Sequence, residues 1–257
     1  MPNNDTCEQK ANIQIFNCYQ RSSMKYGRNK AQKTAILLVA FGTSYPEAQK
    51  AYDLMHKKTE EQFPGIHICW AYTSAFIRKK LARQGTICDS LPMALSRLIE
   101  EDFTHVAIQP LHTIPGHEFD DITRIVSAFR HIPKGLKQIA LSYPLLLTEK
   151  DMEIVGNALL NIIPAKREPD QAVIFVGHGS NHPANNFYPA LAYWLQQKDP
   201  LLFMSTVEHW PDLELTRKQL KNQNPGKIFL LPFLAVAGDH ARNDIAGTDQ
   251  DSWKNVL

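Results

Sequence analysis

Three side chains that could share a divalent ion stand in one half of this sequence, each just past a run of apolar residues: His178, Glu208 and His240. An imidazole offers a nitrogen lone pair and a glutamate an anionic oxygen. Two of the first with one of the second, with coordination positions left over, suit a divalent transition metal that must be exchanged or presented, whereas a closed structural site would use four protein ligands. No cysteine belongs to the set, which keeps an ion releasable. A single histidine after a strand is more often a loop-ordering residue than a ligand. Three donors at equivalent strand ends favour a metal or catalytic site.

The elements that aim these residues are legible. Residues 173–176, Val-Ile-Phe-Val, read as a strand buried on both faces, ended abruptly by Gly177-His178-Gly179-Ser180. Residues 202–207 run into Glu208-His209, and residues 228–236 run into Ala237-Gly238-Asp239-His240. By strand alternation His209 points away from Glu208 and is read as a packing residue. Upstream, the pattern predicts strands over 35–40, 66–72, 105–111 and 138–141, and helices over 46–62, 75–83, 119–129 and 149–163. A further helix opens at Ser90 or Asp89 with Pro92 in its first turn. Alternating strands and helices give an α/β fold of parallel sheets with crossover helices.

Residues 164–170, with two prolines and four charged residues, mark a boundary. The expected organisation is a polar, disordered or atypical N-terminal extension over 1–32, an N-terminal α/β domain over 33–163, and a C-terminal α/β domain over 171–257 that carries the metal ligands. Met24 is an alternative start. Residues 249–257 begin like a capped helix and stop within about two turns, so the C-terminal domain is expected to be truncated.

The second half repeats the first. Residues 38–43 beside 175–180 match strand, turn glycine and hydroxyl; residues 108–110 beside 230–232 match a proline and, six residues on, Gly116 with Gly238. In this register His178 corresponds to Phe41, Glu208 to Ser74 and His240 to Glu118. Only the second half keeps three donors; the first keeps one carboxylate. Ligands of open α/β sheets bind beyond the carboxyl ends of the strands, where all four residues fall.

Composition narrows the rest. At 257 residues and 44% hydrophobic content the chain can bury a sizeable core, and a net charge of +2 without a basic tail argues against nucleic acid. The four cysteines show no C-x-x-C spacing. No apolar run has the length of a membrane span or a signal-peptide core, so no membrane association and a cytoplasmic location are expected. Neither G-x-G-x-x-G nor G-x-x-x-x-G-K-[ST] occurs, so no nucleotide site is supported, and Ser180 lies outside the glycine pair of a nucleophile elbow. His112 and His117 flank a Pro-Gly turn and are accounted for equally well by loop structure. His56, His67, His105, His131 and His182 are read as surface or packing residues.

Five motifs occur in order: Leu-Leu-Val-Ala-Phe-Gly-Thr-Ser at 37–44, Gln-Pro-Leu-His-Thr-Ile-Pro-Gly-His-Glu at 109–118, Phe-Val-Gly-His-Gly-Ser at 175–180, Thr-Val-Glu at 206–208, and Pro-Phe-Leu-Ala-Val-Ala-Gly-Asp-His-Ala at 232–241. Together they resemble the anaerobic sirohydrochlorin cobalt chelatases, the single-subunit, ATP-independent class II chelatases of cobalamin synthesis. The resemblance runs from about Lys33 to the end. It implies two similar α/β halves, each a parallel sheet flanked by helices, with a tetrapyrrole in the cleft between them. It makes His178 and His240 catalytic and metal-binding, Glu208 a third metal ligand, and Glu118 an active-site carboxylate. The implied reaction is insertion of Co2+ into sirohydrochlorin, with Glu118 or a histidine released from the metal as the proton acceptor. A chelatase for Fe2+ or Ni2+ with a related tetrapyrrole stays open, because the donor set permits all three metals. So does a non-catalytic metal or tetrapyrrole binder. Arg78 and Arg124, after strand ends, are candidate partners for substrate carboxylates, and a homo-oligomer is compatible with the sequence. Members of the resembled family continue past the end of this chain and lack so long an N-terminal extension.

Overall fold

The computed structural model describes residues 31–236, 238 and 240–257. Residues 1–30 of the expected extension, with Cys7, Cys18 and Met24, lie outside the described residues. The first four strands are Thr34–Ala40 (β1), His67–Tyr72 (β2), His105–Pro110 (β3) and Gln138–Leu141 (β4); the last three are Ala172–Gly177 (β5), Leu202–Thr206 (β6) and Ile228–Pro232 (β7). They form two sheets, ordered β2-β1-β3-β4 and β6-β5-β7, in which every pair is parallel. The central strand of the second sheet, β5, is buried along its whole length, which is why its sequence is continuously apolar rather than alternating.

The helices start where local chemistry starts them. Pro46–Gln62 (α1) has proline in its first turn; Ala75–Arg83 (α2) is capped by Ser74, whose hydroxyl accepts from Ile77 N; Leu91–Glu100 (α3) is capped by Ser90. Such caps are worth about 1 kcal/mol each. His117–Phe129 (α4) begins two residues ahead of the expected 119, because Gly116 in extended conformation takes the capping position. Glu149–Asn161 (α5) opens on a reciprocal pair in which Thr148 accepts from Asp151 N and the Asp151 carboxylate accepts from Thr148 N. Phe187–Gln196 (α6), Leu213–Gln223 (α7) and the short Trp253–Val256 (α8) complete the second half, with a π-helical turn over Ala241–Ile245.

Strand β7 stops at Pro232, short of the expected 236. Pro232 is the last residue paired with β5, opposite Val176; Phe233 N closes the ladder on Val176 O at 2.7 Å, and β5 itself ends one residue later at Gly177.

Each sheet is covered on both faces. Leu37, Leu95, Ile108 and Ile122 pack one face of the first sheet with α3 and α4; Ala40, Tyr52 and Tyr72 pack the other side with α1. In the second half Val173, Phe175, Leu191 and Leu195 form one layer, and Ile174, Val176, Phe203, Leu220 and Trp253 the other. Helix α5 precedes the 164–170 segment in sequence, yet Val155 and Leu159 belong to the core of the second sheet. Gly156 lets it lie against α6, since a Cβ there would stand 2.4 Å from the Trp194 ring. Each half also lends a loop residue to the other: Ile114, after β3, joins the second core, and Val236, after β7, packs with the Ala40, Tyr52 and Tyr72 cluster. The loops beyond the carboxyl ends of the two sheets therefore meet. No helix among the described residues is long and apolar enough to cross a membrane.

Candidate metal site

His178, Glu208 and His240, 62 residues apart at the extremes, come together at that meeting point, with one ligand atom from each within 4.8 Å of the others. The backbone does much of the placing. Gly177 ends β5 over Tyr188, where a Cβ would stand 2.4 Å from the ring. Gly179 follows at φ +89°, and a Cβ on it would fall 1.6 Å from Glu208 O, so only glycine lets the chain after β6 pass this close. Glu208 N then donates to His178 O at 2.8 Å. His240, at the start of the π-helical turn, sets its ring edge-on to His178, with centroids 4.5 Å apart and planes at 87°.

Hydrogen bonds fix which imidazole nitrogen is free. His178 Nδ1 lies 2.8 Å from Gly179 O, and a carbonyl only accepts, so Nδ1 carries the proton and Nε2 keeps its lone pair. His240 Nδ1 lies 2.7 Å from Asp244 Oδ2 with the same consequence. A carboxylate behind a ring nitrogen orients a metal-ligating histidine and raises its basicity. Asp244 escaped the sequence reading; its signal was a carboxylate four residues after a donor on a helical turn. Among the described residues the set is thus two aimed nitrogen lone pairs and one carboxylate. His178 and Glu208 are exposed and His240 is half-buried, which leaves the site accessible from solvent.

The remaining candidates sort differently. Glu118 is half-buried in the first turn of α4 and lies outside the close group. Arg78 is engaged by backbone: its Nη1 donates to Tyr72 O and to Thr73 O, tying down the end of β2. Arg124 pairs with Asp121 at 3.2 Å on the surface. His209 is not a packing residue, because β6 stops at Thr206 and His209 sits exposed in the following turn at φ +65°. The His112 ring has no hydrogen-bond partner on either nitrogen among the described residues, and burial pulls its pKa down to about 4. Burial likewise pushes the Tyr188 hydroxyl, beneath the His178 turn, up to about 12, so it stays a protonated phenol. A second donor group that the sequence reading missed consists of His117, Asp120 and His182. Two cavities of about 500 and 580 Å³ lie elsewhere, beside α5 and α6 and beside α1 and β2, and neither includes these donors.

Residues 34–257 match the family model described as Cobalt chelatase (CbiK). The chain is 39% identical over 225 residues to the sirohydrochlorin cobaltochelatase CbiKC of Nitratidesulfovibrio vulgaris, covering 88% of this chain and 79% of that protein. It is 33% identical over 224 residues to a sirohydrochlorin cobaltochelatase of Salmonella typhimurium, covering 86% of this chain and 83% of that protein. Among solved structures, the sirohydrochlorin chelatase SirB from Bacillus subtilis subspecies spizizenii in complex with cobalt gives a TM-score of 0.47 at 15% identity, over 87% of this chain and 97% of that one, too slight a likeness to carry weight.

Proposed function

The chain belongs to the cobalt chelatase family, and on that premise we propose that it inserts Co2+ into sirohydrochlorin, with no nucleotide consumed, in the cytoplasm, as a step of anaerobic cobalamin synthesis. The observation that carries the reading within the molecule is the convergence of His178, Glu208 and His240 with both Nε2 lone pairs left free.

In this reading the substrate ion is taken by His178 Nε2, His240 Nε2 and the Glu208 carboxylate. Three protein donors leave coordination positions for incoming pyrrole nitrogens. Holding the ion and the macrocycle in one place converts a bimolecular encounter into an oriented one. Insertion replaces two pyrrole protons by the metal, so two acceptors are required. Glu118, in the first turn of α4, takes one proton; a histidine freed as the ion moves into the ring takes the other. Gly179 O and Asp244 keep both histidine rings in the orientation and tautomer that return them to the ligand state after each turnover. Co2+ is the metal substrate in this reading; the same donors would accept Fe2+ or Ni2+, so preference must come from the macrocycle and from supply.

The test is anaerobic absorption spectroscopy of sirohydrochlorin with Co2+, with and without the protein and with His178→Ala. Accelerated formation of the metallated spectrum by the wild type alone supports the proposal. Equal rates for wild type, variant and buffer would sink it.

A further inference from the structure

We propose that His117, Asp120 and His182 form a second divalent-metal site that ties the two halves of the chain together. His117 and Asp120 are three residues apart in the first turn of α4 and share one face of it. His182 comes from the other half, capping the short 3-10 turn Pro183–Asn186. One ligand atom from each lies within 4.8 Å of the others. The histidine rings meet edge-on, with centroids 4.8 Å apart and planes at 80°, and His182 Nε2 is 3.3 Å from Asp120 Oδ2.

The surroundings hold the donors in place. His117 Nε2 lies 2.8 Å from Asn181 Oδ1, His182 N donates to Ser180 Oγ at 3.1 Å, and the His182 side chain is only 19% exposed. Two imidazoles and one carboxylate select a borderline transition ion such as Co2+, Ni2+ or Zn2+ over Mg2+ or Ca2+, which prefer all-oxygen shells.

The His182 ring sets the strength of the site. Ala184 N donates to His182 Nδ1 at 3.0 Å, so the neutral ring carries its proton on Nε2, toward Asp120. An ion that takes Nε2 shifts that proton to Nδ1 and gives up the Ala184 hydrogen bond. At the His178 group both Nε2 lone pairs are already free, so the His117 group is the weaker of the two and fills second.

The test uses Co2+ alone and does not depend on any reaction. In a His178→Ala, His240→Ala double variant, equilibrium dialysis and the visible d–d bands of Co2+ should report one bound ion per chain. Adding Asp120→Ala and His182→Ala should weaken that binding at least tenfold. Co2+ should also raise the thermal unfolding midpoint of the double variant but not of the quadruple variant, because a ligand bound only by the native state stabilises it. Absence of bound Co2+ in a cooperatively unfolding double variant would overturn the proposal and leave the cluster a hydrogen-bonded seam. Retention of the ion in the quadruple variant would overturn it equally. Should the double variant fail to fold, wild type is compared with Asp120→Ala, His182→Ala: two ions against one supports the site, and two against two refutes it.

Discussion

The two halves of this chain share one backbone design and differ in what they hang on it. Both sheets place the first strand of the half centrally, with the second and third on either side. The hydrogen bonds beyond the strands repeat pair by pair. Ser74 N donates to Phe41 O at 3.2 Å where Glu208 N donates to His178 O at 2.8 Å; Leu111 N reaches Val39 O as Phe233 N reaches Val176 O, both at 2.7 Å; Gly116 N reaches Ile114 O as Gly238 N reaches Val236 O, both at 2.9 Å. Gly42 and Gly179 take matching positive φ of +100° and +89°. At these equivalent places the first half has Phe41, an exposed aromatic; Ser74, a helix cap; and Glu118. The second has His178, Glu208 and His240. The frame fixes three positions at the mouth of each sheet, and residue identity alone decides whether those positions offer metal donors or structural and apolar groups.

The largest expected effect comes from making the second half resemble the first. His178→Phe should slow Co2+ insertion by at least ~100-fold, while Phe41→Ala leaves the Co2+-binding stoichiometry unchanged; initial rates and equilibrium dialysis read both. Insertion within tenfold of wild type in His178→Phe would break the comparison.

The paired glycines sharpen it next. A Cβ at Gly179 meets the Glu208 carbonyl oxygen at 1.6 Å, whereas one at Gly42 meets the buried Tyr72 ring at 2.7 Å, a smaller overlap and with a side chain rather than backbone. Gly179→Ala should therefore cost about 3 kcal/mol or more and Gly42→Ala about 1 to 2 kcal/mol, read from urea midpoints.

His112 tests a site where the halves diverge in polarity, since its register partner is Leu234, packed in the second core. Folding holds the His112 pKa near 4, below the ordinary value. Between those values the unfolded chain binds a proton that the folded chain refuses. The associated stability is complete above about pH 6.5 and falls as pH drops, by about 3 kcal/mol at pH 4. His112→Leu should flatten the urea midpoint over that range, and an unchanged slope would rule the buried ring out as its source.

Asp244→Asn should lower Co2+ affinity by roughly 10- to 100-fold with little change in stability, because it loosens the His240 tautomer without touching the ion. The smallest effect is a gain: Phe41→His with Ser74→Glu, beside the native Glu118, should add weak Co2+ binding to the first half at the expense of the Ser74 cap, worth about 1 kcal/mol. Dialysis showing no added ion would mean that the backbone equivalence does not extend to side-chain direction.

The sequence by itself placed most of the elements and singled out His178, Glu208 and His240 as candidate donors. α1, α2 and β4 fall where proline, serine and apolar periodicity put them, because caps and strand patterns act over only a few residues. The duplication register paired His178 with Phe41 and Glu208 with Ser74 before any coordinate was needed, since the turn glycines and strand-end prolines repeat. Three things rested on the tertiary structure. Helix α5 packs on the second sheet although it precedes the 164–170 segment, because Val155 and Leu159 share a core with Leu191 and Trp194 of α6 and with Val173 and Phe175 of β5. Asp244 and Gly179 O choose the free nitrogen of each histidine, which depends on side chains and carbonyls brought to within hydrogen-bonding distance. His182, an ordinary loop residue in sequence, meets His117 and Asp120 only because the carboxyl ends of the two sheets face the same seam. A residue's type says what it can donate; the crossing of two chain segments far apart in sequence decides to whom.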